Sequence, residues 1–417
     1  MTFFLLFVLL VGLLVLRQPM VVVLLVALMA CYFFWGEGQY RFIALDAWNA
    51  LNKEVLLSIP LYLLAGNLMA AGSMARRITN FLQELSCFVP GGLALAAVLA
   101  CAVFAAMSGS STVTLLAVGG VMYPALMEAG YSRSLVVGLL CAAGTLGIIV
   151  PPSIPLILYG VMTQVSIVDL FIAGLGPALL LTLLMSAYVI WRCRDMPTRR
   201  WSSELGRSFR ASIWALGTPA LIMGGIYSGY FTATEAAVVA VAYTLLVQVF
   251  VYREMGFSHV VEVAQDTSRL IGGLFPVLML AVCLNLFLTL QQLPAEIVAS
   301  LASWLEGPVS FLFATNILLL LVGSVVDIGS AILILAPLLN PLAANFDMHP
   351  VHFGIMMIVN LEIGYLTPPM GLNLIVAMGA FRIGFWDVCK AVIPFVVILL
   401  TGLFLVAAVP SISTFLI

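Results

Sequence analysis

The stretch that decides the fold is GTLGIIVPPSIPLILYG at residues 144–160, an apolar run with Pro151 and Pro152 at its centre. A regular helix cannot pass through it, because proline removes a backbone donor and clashes with the preceding turn. A second run of the same kind, EIGYLTPPMGLNLIVAMG at residues 362–379, is centred on Pro368 and Pro369. Pro368 lies 217 positions after Pro151, and the same offset pairs Pro124 with Pro341, Gly147 with Gly364, and Pro177 with Pro394. Gly/Pro-interrupted apolar segments at corresponding positions of two halves point to the binding site of a secondary transporter.

Composition sets the class. The 417 residues are 64% hydrophobic and 8% charged, with a mean hydropathy of +1.20. Soluble chains run at about 45–50% apolar and ~25% charged. This is an all-α polytopic membrane protein. Runs near 20–35, 55–71, 170–191, 213–230, 236–252 and 311–326 approach the about 17–25 residues a spanning helix needs. Residues 2–16 lack a basic start and a small-residue cleavage site, and read as a retained helix. The seven cysteines are scattered without a CxxC, as packing residues are. His259, His349 and His352 fall in expected loops, and only Asp347 stands near the last two, which does not make a metal set. No basic patch interleaved with aromatics points to nucleic acid. The chain has no GxxxxGK[ST], GxSG, HExxH or GxGD, so neither an ATPase motor nor an intramembrane hydrolase is indicated, and no enzyme is expected.

Arginines give the topology. The cluster Arg192, Arg194, Arg199, Arg200, Arg207 and Arg210 marks loop 192–210 as cytoplasmic by the positive-inside rule. Arg17, Arg76, Arg77, Arg133, Arg253, Arg269, Arg382 and Lys390 join it only if residues 91–128 and 307–345 each enter the membrane and return on the same side. Of the 16 Lys and Arg, only Arg41 and Lys53 then lie outside. Both termini come out periplasmic, and the two halves are inverted relative to each other. Four parts follow: residues 1–54, N-terminal helices with an interfacial helix at 41–54; 55–195, a first repeat with a hairpin at 91–128 and a broken helix at 133–163; 196–272, a basic loop and linking helices; and 273–417, a second repeat with a hairpin at 307–345 and a broken helix at 351–381.

The chemistry gathers at tips and breaks. Non-helical backbone at membrane depth must be buried in protein or line a cavity. The first tip, Met107-Ser108-Gly109-Ser110-Ser111-Thr112-Val113-Thr114, offers carbonyls and hydroxyls, the hard oxygen donors a small cation prefers. The helix starting there also presents N–H groups to an anion. At the second tip, Asp327 stands where Ser110 stands in the first. It can serve as cation ligand, as proton site, or as cap of the helix opening near Gly329 and Ser330. At the breaks, carbonyls of residues 147–150 and 364–367 are released, Ser153 and Met370 start new helices, and Thr367 and Asn373 add a hydroxyl and an amide. Glu235 has capping-box spacing with Thr232. Glu362, one turn before the second break, either pairs with a buried amide such as Asn360 or Asn67 or has a functional role.

Five stretches together make a family resemblance: IPLYLLAGNLMAAG at 59–72, MSGSSTVT at 107–114, GIIVPPSIPLILYG at 147–160, GYFTATEAAVVAVAY at 229–243 and EIGYLTPPMGLNL at 362–374. The chain resembles the large membrane subunit of tripartite ATP-independent periplasmic (TRAP) transporters, with Val113 and Tyr62 as minor departures. The resemblance implies an elevator-type carrier of the ion transporter superfamily kind. It implies sodium-coupled uptake of an organic acid across the bacterial inner membrane, delivered by a periplasmic binding protein. It implies a first sodium site from Ser108, Gly109, Ser111, Thr112, Gly147 and Val150, and a second from Asp327, Gly329, Ser330, Gly364 and Thr367. Substrate would sit between the tips, at Ser110, Ser111, Ser153 and Asn373. A small four-helix membrane subunit is expected as a separate polypeptide, with no organic cofactor. The alternative is a stand-alone proton- or sodium-coupled anion carrier that needs no binding protein. The residues are compatible with C4-dicarboxylates, sialic acid, sugar acids or 2-oxoacids, and a small dicarboxylate is the favoured class.

Overall fold

A computed structural model describes residues 12–13, 18–36, 40–198, 204–290 and 307–417. The helix expected over residues 2–16, Gly12 and Leu13 apart, lies outside the described residues, as do Arg17, Arg199 and Arg200. Among the described residues every regular element is a helix. Seven are long and apolar enough to cross a membrane, and a pair bent by 40° at the first double proline is so too when taken as one span.

The chain opens with α1 (Met20–Phe34) and the polar α2 (Arg41–Leu51), followed by α3 (Ser58–Ala71) and α4 (Met74–Ser86). The first hairpin is α5 (Gly92–Ser108) and α6 (Ser111–Glu128). The first broken helix runs through α7 (Arg133–Gly144), the single turn α8 (Leu146–Ile149) and α9 (Ile154–Thr163), and α10 (Ile167–Arg192) leads away. After the basic loop come α11 (Glu204–Tyr227), α12 (Ala233–Leu246) and α13 (Phe257–Leu290). The second hairpin is α14 (Pro308–Gly323) and α15 (Ile328–Asn345). The second broken helix is α16 (Pro350–Gly364) and α17 (Leu372–Phe381), and α18 (Phe385–Ala408) and α19 (Ser411–Thr414) close the chain.

The sequence offset becomes a structural one. Shifting α6 by 217 positions lands on the bounds of α15, shifting the start of α7 lands on the start of α16, and α9 falls within one residue of α17. Each broken helix restarts against the other half's hairpin: α9 packs on α15, and α17 on α6. At the first crossing the buried Tyr159 hydroxyl lies 2.9 Å from Asn340 Oδ1 and 2.8 Å from the Pro350 carbonyl. At the second, Tyr123 stacks on Phe381 with ring centroids 4.6 Å apart. In lipid, packing rather than water exclusion holds helices together, and small residues allow close approach. The first arm, GLALAAVLACAVFAAMS, is built that way, and most of it is buried.

A second group of helices, α3, α11, α12 and α13, flanks this body. The Tyr62 hydroxyl donates to the Ala233 carbonyl at 3.0 Å, Asn67 Nδ2 to Thr267 Oγ1 at 2.9 Å, and Gln248 Nε2 to the Leu68 carbonyl at 3.0 Å. The capping box expected at α12 is present: Thr232 Oγ1 accepts from the Glu235 N–H and the Glu235 carboxylate from the Thr232 N–H. Helix α13 runs unbroken through residues 272 and 273, where the sequence reading divided the chain. Two expectations are corrected, since two of the histidines lie in helices rather than in loops: His259 in the first turn of α13, and His352 in the first turn of α16. His352 is buried there, with Nδ1 2.6 Å from the Ser413 hydroxyl.

Candidate functional site at the hairpin tips and helix breaks

The first tip turns between α5 and α6 in two residues. Gly109 takes the left-handed conformation (φ +59°), where a side chain is strained, and extended Ser110 caps α6. The turn gathers oxygens. Ser108 Oγ and Thr114 Oγ1 are 2.7 Å apart, and Ser108 Oγ lies 3.3 Å from the Ser110 carbonyl oxygen. Gly147, just before the first double proline, closes on the same carbonyl: a Cβ added there would stand 2.4 Å from Ser110 O and 2.7 Å from Thr114 Oγ1. A Cβ on Gly109 would stand 3.1 Å from the Pro152 carbonyl oxygen. Tip and break thus meet backbone to backbone around a small oxygen-rich cluster.

Of the residues expected for the first cation site, Ser108, Gly109 and Gly147 meet here, with the Ser110 carbonyl. Thr112 and Val150 are half-buried and make no polar side-chain contact in this cluster. Thr114 belongs to it and was not assigned. Its signal was its place one helical turn beyond Ser110, inside the motif that drew attention. The Ser153 hydroxyl turns inward and donates to the Ile148 carbonyl, which closes the break.

The second tip is built differently. Four residues, Ser324 to Asp327, link its arms, against two in the first. The Met370 and Gly371 N–H groups donate to the Ser324 carbonyl at 3.1 and 3.3 Å, and Gly364 packs on the backbone of Gly323 and Ser324. Asp327 caps α15, its Oδ2 accepting from the Ser330 N–H at 2.9 Å, and its side chain is exposed. The Thr367 hydroxyl donates to the Gly364 carbonyl at 2.8 Å, so that carbonyl is not released as the sequence suggested. The residues that join this tip to this break are Gly323, Ser324 and Tyr365, whose hydroxyl receives the Ile328 N–H at 2.7 Å. None of the three carries a charge, and Tyr365, although inside the second break's motif, offers a hydroxyl that the sequence does not aim at the tip. Gly329 lies beside the Asp327 cap, not at the break.

A third polar group crosses between the halves. Ser111 Oγ donates to Asn373 Oδ1 at 3.3 Å, and Asn373 Nδ2 donates to Glu362 Oε1 at 3.2 Å. All three are buried, and Glu362 Oε2 has no hydrogen-bond partner among the described residues. Glu362 therefore pairs with Asn373, not with Asn360 or Asn67. Asn360 donates to Asn316 Oδ1 at 2.6 Å, and Asn67 to Thr267. Hydroxyls, carbonyls and an amide beside new helix N-termini can hold a small cation and an anion at once, without a basic side chain.

Residues 7–412 match the family described as the tripartite ATP-independent periplasmic transporter, DctM component. The chain belongs to this family. It is similar to the C4-dicarboxylate TRAP transporter large permease protein DctM of Pseudomonas aeruginosa, 38% identical over 391 residues that cover 91% of this chain and 90% of the relative. It is also similar to the isethionate TRAP transporter permease protein DctMQ of Oleidesulfovibrio alaskensis, 35% identical over 410 residues that cover 96% of this chain and 64% of the relative. The YdaH transporter of Alcanivorax borkumensis shares the fold, with a TM-score of 0.65 at 15% identity over 90% of this chain and 89% of its own. The chain is a multi-pass transporter permease, not an enzyme.

Proposed function

We propose that this TRAP permease carries a carboxylate-bearing organic acid inward across the bacterial inner membrane, driven by sodium. The observation that carries the reading is the oxygen cluster of Ser108, Ser110 and Thr114 closed by Gly147. It is uncharged, made of hard donors, and buried except at the half-buried Ser110, which suits a monovalent cation. The second sodium site of this proposal lies at the tip and break of the second repeat, around Asp327, Ser330, Gly364 and Thr367. Substrate lies beside Ser110, Ser111 and Asn373. The two hairpins and two broken helices move as one body against α3, α11, α12 and α13, in the manner of an elevator. Relatives named for C4-dicarboxylates and isethionate support a small organic anion. As a member of a tripartite family the chain works with a small four-helix membrane subunit and a periplasmic binding protein that delivers the acid. Loop 192–210 faces the cytoplasm and both termini the periplasm.

A second reading, a stand-alone proton-coupled carrier, draws on the partnerless Glu362 oxygen. One experiment separates the two. The chain and its small subunit are placed in proteoliposomes, and uptake of organic acids is followed with a sodium or a proton gradient, with and without the binding protein. Uptake that needs sodium and the binding protein supports the proposal. Uptake on a proton gradient alone, or without the binding protein, overturns it.

A further inference from the structure

A polar cavity of about 310 Å³ lies between α4 and the first turns of α11, lined by no residue of the tips or breaks. Ser73, Arg76, Arg77, Asn80, Arg207, Ser208 and Ala211 line it: three arginines and no acid. We propose that it holds the phosphate headgroup of an anionic phospholipid from the cytoplasmic leaflet.

Charge is the first argument. Arg77 is fixed, with Nη2 2.7 Å from Glu254 Oε1, Nε donating to Ser73 Oγ at 2.8 Å, and its guanidinium 4.0 Å from the Tyr252 ring centroid. Arg207 lies 3.2 Å from Glu204 and is 80% exposed. Arg76 is exposed and makes no ion pair among the described residues. The cavity therefore keeps an uncompensated positive charge. The guanidinium fork suits phosphate oxygens, and basic pockets on the cytoplasmic side are where anionic headgroups bind.

The second argument separates a lipid from a free phosphate. Just beyond the cavity α11 turns apolar and outward: Phe209, Ile213 and Trp214 are 44%, 47% and 46% exposed. Trp214 lies three residues after Ala211, on the same helix face and one turn deeper. The Phe81 and Phe209 rings, 5.4 Å apart, tie α4 to α11 beside it. Arginines and hydroxyls over an apolar, aromatic flank match a headgroup with its acyl chains, and a soluble anion has no use for that flank. The lipid would join α4, which leads into the first hairpin, to α11 of the flanking group.

The test uses the full chain in detergent, with native mass spectrometry and thermal shift. The probes are phosphatidylglycerol, phosphatidylcholine with the same acyl chains, and inorganic phosphate. Phosphatidylglycerol is expected to stay bound and to raise the melting temperature, and the other two are not. The double variant Arg76→Gln/Arg207→Gln should bind phosphatidylglycerol about 25-fold more weakly, at roughly fivefold per arginine. The control Arg192→Gln/Arg194→Gln, which removes the same charge outside the cavity, should match the unaltered chain. Equal losses in both doubles, equal retention of phosphatidylcholine, or equal protection by inorganic phosphate would overturn the proposal. If the first double does not purify, Arg76→Gln alone should show the roughly fivefold loss.

Discussion

Gly147→Ala tests the contact on which the cation reading depends. The added methyl would meet Ser110 O at 2.4 Å, Ser110 C at 2.7 Å and Thr114 Oγ1 at 2.7 Å. Two of those atoms are backbone, so no side-chain rotation relieves the clash. Restoring ordinary contact needs a separation of about 1 Å between tip and break, and overpacking of this kind costs about 1–3 kcal/mol. Hard cations accept oxygen distances within a few tenths of an ångström, so a shift of about 1 Å removes a ligand. Half-maximal uptake should then need at least about tenfold more sodium, the equivalent of ~1.4 kcal/mol. The assay is uptake in proteoliposomes over a sodium titration. Gly120→Ala is the control, because a Cβ there meets nothing within 4 Å and alanine favours the helix. If Gly147→Ala shows the same sodium dependence as Gly120→Ala, the tip-and-break contact does not build the site and the reasoning is refuted.

Gly364→Ala should act in the same way on the second half, since its Cβ would stand 2.6 Å from Gly323 C and 2.7 Å from Gly323 Cα; uptake and melting temperature should both fall. Asp327→Asn keeps a cap and should keep its stability, while Asp327→Ala loses about 1 kcal/mol. Both should need more sodium for half-maximal uptake, and an unchanged sodium dependence would reduce Asp327 to a cap. Asn373→Leu strands the Ser111 hydroxyl and the Glu362 carboxyl and should lower stability by about 1–3 kcal/mol, read by thermal unfolding. Glu254 is pushed up by burial, but hydrogen bonds from Ser73 and Arg77 and the Arg77 charge outweigh this and hold its carboxyl below the usual 4.5. A lowered folded-state pKa gives stability that is present above 4.5 and lost as pH falls through the lowered value. Glu254→Gln should therefore melt lower than the unaltered chain at pH 7, by the equivalent of at most about 1 kcal/mol after solvent screening, and the two curves should converge in acid.

The repeat, the hairpins and the breaks were legible because proline and glycine act on the backbone directly, and a duplicated pattern repeats that signal. The offset of 217 fixes α15 from α6 to the residue. The direction of a hydroxyl was not legible. Ser153 and Thr367 sit where a ligand could use them, yet both turn back on carbonyls of their own break, a choice made by local geometry that composition does not encode. The partner of Glu362 was not legible, because the sequence does not say which buried amide the fold brings to it. Only the crossing of α17 over α6 brings Asn373 between Glu362 and Ser111.

That crossing also shows where the duplication stops. Moved back by 217 positions, Glu362 falls on Thr145 and Asn373 on Leu156; moved forward, Ser111 falls on Ile328. The Thr145 hydroxyl is spent on the Ala142 carbonyl, and Leu156 and Ile328 are apolar and buried. The two repeats thus share a backbone and differ in chemistry. A symmetric frame presents two tips and two breaks, but a buried carboxyl, amide and hydroxyl run through one crossing alone. Stability does not call for this, because the other crossing is held without a carboxyl, by the Tyr159 hydroxyl donating to Asn340 Oδ1. A partly satisfied polar group in a membrane interior is costly, and such groups mark function. The selectivity of this permease is therefore expected at the α6–α17 crossing, with Ser111 and Asn373 as the residues whose exchange should change which acid is carried.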